Sequence, residues 1–199
     1  MKPGTEIKVL NGASVEINTI TMYGCADWDG ITIDGANLDF FDNDINNAEL
    51  AIFSDNQSFV DVRGSEFEDN GIHVAFNNGV GITSLIEGSV FKSVVPISSP
   101  QNSNYTTIKN SAFTEPMVYA KSHKINLDNC EFDQRDENDL DNPTYSGLEV
   151  EDASYVGIQI TDFIDNLEYA VYLNDCEDID IDKLHIGSDY ATSYTAQAP

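Results

Sequence analysis

Apolar residues five positions apart recur as pairs along the chain: Ile17/Met22, Phe40/Ile45, Val62/Phe67, Ile86/Phe91, Ile108/Phe113, Leu127/Phe132, Ile158/Phe163 and Ile181/Ile186. The second members advance by 23, 22, 24, 22, 19, 31 and 23 residues. Units this short cannot bury a core alone, so each must stack on its neighbours. Before the second member of a pair runs a short alternating stretch, as in Val60-Asp-Val62, Thr106-Thr-Ile108, Lys124-Ile-Asn-Leu127, Ile158-Gln-Ile160 and Ile179-Asp-Ile181. Alternation of this kind predicts strands with one buried face. A further short strand follows a polar turn, as in Gly71-Ile-His-Val74, Met117-Val-Tyr-Ala120, Gly147-Leu-Glu-Val150 and Ala170-Val-Tyr-Leu173. Turns rich in Asn, Asp and Gly, such as Asp69-Asn70-Gly71 and Asn77-Asn78-Gly79, separate the strands. Nowhere do apolar residues hold helical spacing for three turns.

Few architectures combine this period with short strands and no helix. Leucine-rich repeats need an LxxLxLxxN pattern that is missing, and propeller blades need about 40 residues. A parallel β-helix fits: an all-β, single-stranded solenoid of about eight coils, each of about 22–23 residues, roughly 35–40 Å long at the usual strand spacing. Its inward residues should stack by type, one column being Met22, Ile45, Phe67, Phe91, Phe113, Phe132, Phe163 and Ile186. The position two before this column is often small or polar, as at Asn43, Ser65, Ser89, Ser111, Cys130 and Thr161, which predicts an internal hydrogen-bonded ladder at a turn.

The units Ile108-Lys-Asn-Ser-Ala-Phe113 and Leu127-Asp-Asn-Cys-Glu-Phe132 resemble the Asn-Cys/Ser-x-Phe core of right-handed parallel β-helix repeats in the pectate-lyase-like superfamily. The opening Gly4-Thr-Glu-Ile-Lys-Val9, followed by Cys25-Ala-Asp-Trp-Asp-Gly-Ile-Thr-Ile33, resembles β-helical stretches of large secreted bacterial surface proteins. In those, a Cys-x-x-x-Trp-x-Gly-Ile-like segment precedes the repeats; here the step from Cys25 to Trp28 is one residue shorter. The resemblance spans about residues 5–187. It implies a right-handed coil and an extracellular or cell-surface setting. It does not imply one activity, because the superfamily hosts lyases, hydrolases, phage spikes and passive stalks.

Composition narrows the partners. The chain carries 35 acidic against 9 basic side chains, a formal charge of −26, and its only arginines are Arg63 and Arg135. Such a surface repels phosphate backbones and anionic lipid, so nucleic acid and polybasic membrane binding are disfavoured. It favours cations, basic partners and a monomeric, salt-tolerant rod. Cys25, Cys130 and Cys176 lie far apart without CxxC spacing, which fits neither a disulfide framework nor a zinc site. No apolar run is long enough for a transmembrane helix, so no membrane insertion is expected. The start at Met1-Lys-Pro-Gly4 runs almost directly into a strand pattern, which reads as one β-helix domain over 1–199 cut from a longer protein, with 187–199 a polar tail or linker.

Catalytic sets are sparse. Uronate lyases of the superfamily pair a cationic base with calcium, and galacturonan hydrolases carry Asn-Thr-Asp, Asp-Asp, Gly-His-Gly and Arg-Ile-Lys elements. Neither set occurs here. An outward row is expected instead. If Ile72 and Val74 point in, His73 points out, and Tyr119, Glu149 and Tyr172 do the same in later strands. Such a ribbon could stack and hydrogen-bond sugar rings of a glycan or cell-surface polymer, or simply stabilise the sheet. The second candidate is the stretched interval of 31 residues, where 133–142 holds five carboxylates and two asparagines. Asp133, Asp136, Asn138, Asp139 and Asp141 offer the oxygen ligands calcium prefers, without EF-hand spacing. Asp178, Asp180 and Asp182 form an acidic edge on the last coil that discourages end-to-end stacking. Together these features favour a non-catalytic structural, adhesive or spacer β-helix of a secreted or cell-surface protein. A carbohydrate-binding or carbohydrate-active module and a phage-spike segment are the alternatives.

Overall fold

The computed structural model describes residues 1–77, 83–92, 95–96, 105–114, 118–133, 147–164 and 169–187, with 25–27, 83 and 95–96 described by backbone alone. The described residues form strands and turns only, wound into a parallel solenoid of three-strand levels. The first long sheet stacks Ser14–Asn18, Asn37–Phe41, Phe59–Arg63, Thr83–Glu87, Tyr105–Lys109, Lys124–Asp128, Val156–Gln159 and Ile179–Asp182. The second stacks Thr21–Trp28, Asp44–Ala48, Glu66–Glu68, Val90–Lys92, Ala112–Thr114, Glu131–Asp133, Asp162–Ile164 and His185–Gly187. The third wall is divided. Its N-terminal sheet holds Glu6–Leu10, Gly30–Asp34, Leu50–Asp55 and Ile72–Asn77; its C-terminal sheet holds Val95–Pro96, Val118–Lys121, Leu148–Glu151 and Val171–Asn174. Every pairing is parallel, and the coil is right-handed, the hand that twisted parallel strands impose on their crossovers.

The long sheets therefore count eight levels, matching the eight apolar pairs. The last level is open on its outer side, with Ile179, Ile181 and Ile186 45–48% exposed, whereas Val9, Ile17 and Met22 of the first level are only 5–9% exposed. Counting only the levels with a neighbour on each side leaves about six turns, fewer than the eight coils expected, because the sequence repeat counts the two end levels as well. Asp178, Asp180 and Asp182 all lie exposed on this last level.

Both predicted columns form. Phe67, Phe91, Phe113, Phe132 and Phe163 occupy successive rungs, with adjacent rings 4.5–5.0 Å apart and within 15° of parallel. Beside them runs the polar ladder. The amides of Asn43, Ser65 and Ser89 donate to the hydroxyls of Ser65, Ser89 and Ser111 one level on, at 3.2–3.3 Å. Each of those hydroxyls donates to the carbonyl two residues before it. Asn43 closes the lower end, receiving the amide of Ile20 and donating to the carbonyl of Ile17. Cys130 continues the row with its thiol on the carbonyl of Ile108, and burial pushes that thiol up to about 11, which keeps it protonated at neutral pH. The ladder satisfies polar groups that a turn between two walls would otherwise bury unpaired.

The same turn needs a left-handed residue at each level, supplied by Thr19, Asp42, Gly64, Gly88, Asn110, Asn129, Ile160 and Lys183. Most of these tolerate the region, but β-branched Ile160, at φ 48° and 48% exposed, does not. A left-handed β-branched residue costs about 1–2 kcal/mol, so Ile160→Asn is expected to stabilise the chain by about 1 kcal/mol, read as a rise of ~2–4 °C in melting temperature. An unchanged or lower midpoint would contradict this reading of the turn.

Candidate functional site

The outward ribbon forms on the C-terminal short sheet. Val118 and Ala120, Leu148 and Val150 point into the core, so Tyr119 and Glu149 face out between them. Tyr119, Glu149 and Tyr172 are direct register partners. The next outward position adds Lys121, Glu151 and Asn174. Lys121 Nζ lies 2.9 Å from Glu151 Oε2, and the Tyr119 hydroxyl donates to the same oxygen at 3.3 Å. The hydrogen bond from Lys121 holds the Glu151 carboxyl below its ordinary range, and Glu151 in turn raises the Lys121 ammonium. Burial first, and then the charge of Glu151, raises the Tyr119 phenol. Tyr169 joins the patch, its ring 5.4 Å from that of Tyr172. The result is a shallow surface of three aromatic rings around one ion pair and a further carboxylate, open to solvent.

His73 does not belong to it. Its side chain is fully buried, against the expected outward orientation. Strict alternation fails because the chain turns a corner here: Ile72 is only half-buried, and His73 and Val74 both point inward, as Ala51 and Ile52 do one level below. The small Ala51 leaves room for the ring, which sits between Phe67 and Phe91. Asn70 Nδ2 lies 3.0 Å from His73 Nδ1, and His73 Nε2 lies 3.0 Å from the carbonyl oxygen of Lys92. Between Val74 and Phe76 the outward position is Ala75.

Of the proposed calcium ligands, Asp133 ends a strand of the second long sheet, in register with Thr114 and Ile164. Asp136, Asn138, Asp139 and Asp141 lie outside the described residues. Among the described residues no group of three or more His, Cys, Asp or Glu side chains converges as a metal site would require.

His123, in a sequence context that marks no site, is buried at a corner of the core. Its Nε2 lies 2.7 Å from Thr106 Oγ1, and its ring stacks at 6.0 Å on Phe76. Nothing in the local pattern Lys121-Ser-His-Lys124 marks it as internal. Lys121 and Glu151, by contrast, were legible: each follows Tyr119 or Glu149 by two residues on an alternating strand. No helix in the described residues is long and apolar enough to cross a membrane. No family model matches the chain, and no curated protein matches it.

Proposed function

We propose that this chain is a non-catalytic structural, adhesive or spacer rod of a secreted or cell-surface protein. One observation carries the reading: side chains able to do chemistry are used to hold the stack. His73 and His123 are packed among aromatic rings, and Cys130 is a rung of the internal ladder. The outer faces are laced along the rod axis by pairs such as Lys92 with Glu66 and Glu68, and Lys121 with Glu151. The resemblance to β-helical stretches of secreted surface proteins points the same way. Incubation with a panel of neutral and acidic polysaccharides is expected to release neither reducing ends nor unsaturated products; release of either would overturn the reading.

A second reading has its own support. Tyr119 and Tyr172 stand two levels apart with Glu149 between them, which places two rings about 9.6 Å apart along the rod, a spacing suited to alternate sugars of an extended glycan. The ligand would be neutral or cationic, given the two glutamates and the charge of −26. Under this reading the wild type binds a glycan array, and Tyr119→Ala loses that binding at an unchanged melting temperature. Silence of the wild type across the array removes the carbohydrate reading.

A further inference from the structure

Among the described residues, the ladder of the third wall is interrupted at one place. The N-terminal short sheet ends with Ile72–Asn77, and the next strand, Val95–Pro96, pairs only with the C-terminal sheet. The two strands lie side by side but share no ladder among the described residues. Both long sheets cross the same junction without a break, through Thr83–Glu87 onto Tyr105–Lys109 and Val90–Lys92 onto Ala112–Thr114. Among the described residues, one wall in three therefore shows no ladder between the fourth and fifth levels.

Both buried histidines stand at this seam, one at each end. His73, at the entry of Ile72–Asn77, reaches the carbonyl of Lys92, three residues before the entry of Val95–Pro96. It supplies from a side chain a tie that the backbone supplies elsewhere, as in the bond from Ile72 N to Glu49 O. Because Asn70 Nδ2 donates to Nδ1, the Nε2 of His73 carries the proton and donates it to the Lys92 carbonyl oxygen. At the exit of the same strand, Phe76 stacks on His123, whose corner follows Val118–Lys121 two levels along. The ring of His123 thus spans the seam from the other side, anchored to Thr106 of the intact first long sheet.

We propose that these two imidazoles latch the seam, and that acid releases it: protonation of His123 expels its ring and parts Ile72–Asn77 from the strands beyond, while the long sheets keep the rod whole. The Nδ1 of His123 is buried with no hydrogen-bond partner among the described residues, so the imidazolium, protonated on both nitrogens, would hold an N–H there with nothing to donate to. Stacking of an imidazolium on Phe76 offers about 0.5–2 kcal/mol, less than the several kcal/mol needed to bury an unpaired charge. The charged groups around the ring point outward: Lys121 paired with Glu151, Lys124, and Asp152 at the next corner. The strand of Thr106 adds Tyr105 and Lys109, and that of Phe76 adds His73 at its far end and the amide Asn77. None of them moves the titration of His123, which burial alone depresses to about 4. Around His73 the nearest charges are Lys92, held outside by Glu66 and Glu68, and the exposed Asp69 and Glu49.

The sign follows from the ring's two environments. Free in the open state it titrates at its ordinary 6.5, and closed it titrates at about 4, so the open state binds more protons between those values. Opening is therefore favoured as pH falls through 6.5, by roughly 20-fold from pH 7 to pH 5. The test is amide hydrogen exchange of the full chain at pH 7 and pH 5, corrected for intrinsic exchange rates. Val74–Asn77 and Val118–Lys121 are expected to exchange roughly 20-fold more readily at pH 5. Amides of the long sheets should not change. His123→Gln, which keeps a donor for Thr106 but cannot titrate, should abolish the effect, and His185→Gln, at an exposed site, should leave it intact. An imidazole titration of the wild type followed by NMR gives a second readout should His123→Gln fail to fold. Equal exchange at both pH values, a rise that persists in His123→Gln, a rise spread over the long sheets, or a His123 ring titrating near its ordinary value would each overturn the proposal.

Discussion

Phe113→Ala is expected to cost about 4–5 kcal/mol, lowering the melting temperature by ~10–15 °C. Phe113 sits mid-stack, 5.0 Å from the ring of Phe91 and 4.5 Å from that of Phe132, both within 9° of parallel. It is 1% exposed. Removing it forfeits the transfer energy of the ring and leaves a cavity that its rung cannot collapse to fill, because the walls are fixed by ladders on either side. It also breaks two ring contacts worth about 0.5–1.5 kcal/mol each. Phe113→Leu, which retains most of the volume, is expected to cost less than half as much. Levels of a solenoid touch only their neighbours, so extra amide exchange should be concentrated at Val90–Lys92, Ala112–Thr114 and Glu131–Asp133. A loss below about 2 kcal/mol in urea unfolding would contradict the stack as the main core column.

Gly30→Ala acts through the backbone. Gly30 has φ 95° and is buried at the entry of the second level. A Cβ there would lie 1.8 Å from the carbonyl oxygen of Leu50 and 2.7 Å from its carbon, both main-chain atoms of the next strand. No side chain can swing aside, so the pairing of Gly30–Asp34 with Leu50–Asp55 must shift. With left-handed strain of about 1–2 kcal/mol and overpacking of about 1–3, the loss should be about 2–5 kcal/mol. Gly12→Ala makes the control, since its φ of 76° is similar but no atom lies within 4 Å. Equal losses at the two positions would mean that the close approach to Leu50 is not what demands glycine.

These costs follow from features that were legible to different degrees. The phenylalanine column could be read directly, because the five-residue spacing inside each pair and the near-constant interval between pairs force like onto like. The serine row beside it was legible for the same reason, and Cys130 fits there because a thiol occupies a hydroxyl's slot. Tyr119, Glu149 and Tyr172 were placed together because alternation is regular in those strands. The outward orientation expected of His73 fails where alternation breaks at a corner, and its ring packs against Phe67 and Phe91 instead. His123 gave no local signal at all. Its role depends on Phe76 and Thr106, which lie 47 and 17 positions away in sequence, and on a break in a wall that no composition reveals.

A straight, stiff, in-register rod is the claim on which the functional reading stands, and distances along one column test it most directly. Asp39, Asn126 and Asp180 share an outward column of the first long sheet, on its second, sixth and eighth levels. Spin labels at 39 and 126, and at 39 and 180, would be introduced in a chain whose three cysteines are replaced by serine. Pulsed electron–electron dipolar measurements are expected to give narrow distributions centred near about 19 and about 29 Å, four and six strand spacings respectively. Distances that do not grow with level, or a broad distribution for the longer pair, would contradict the rod.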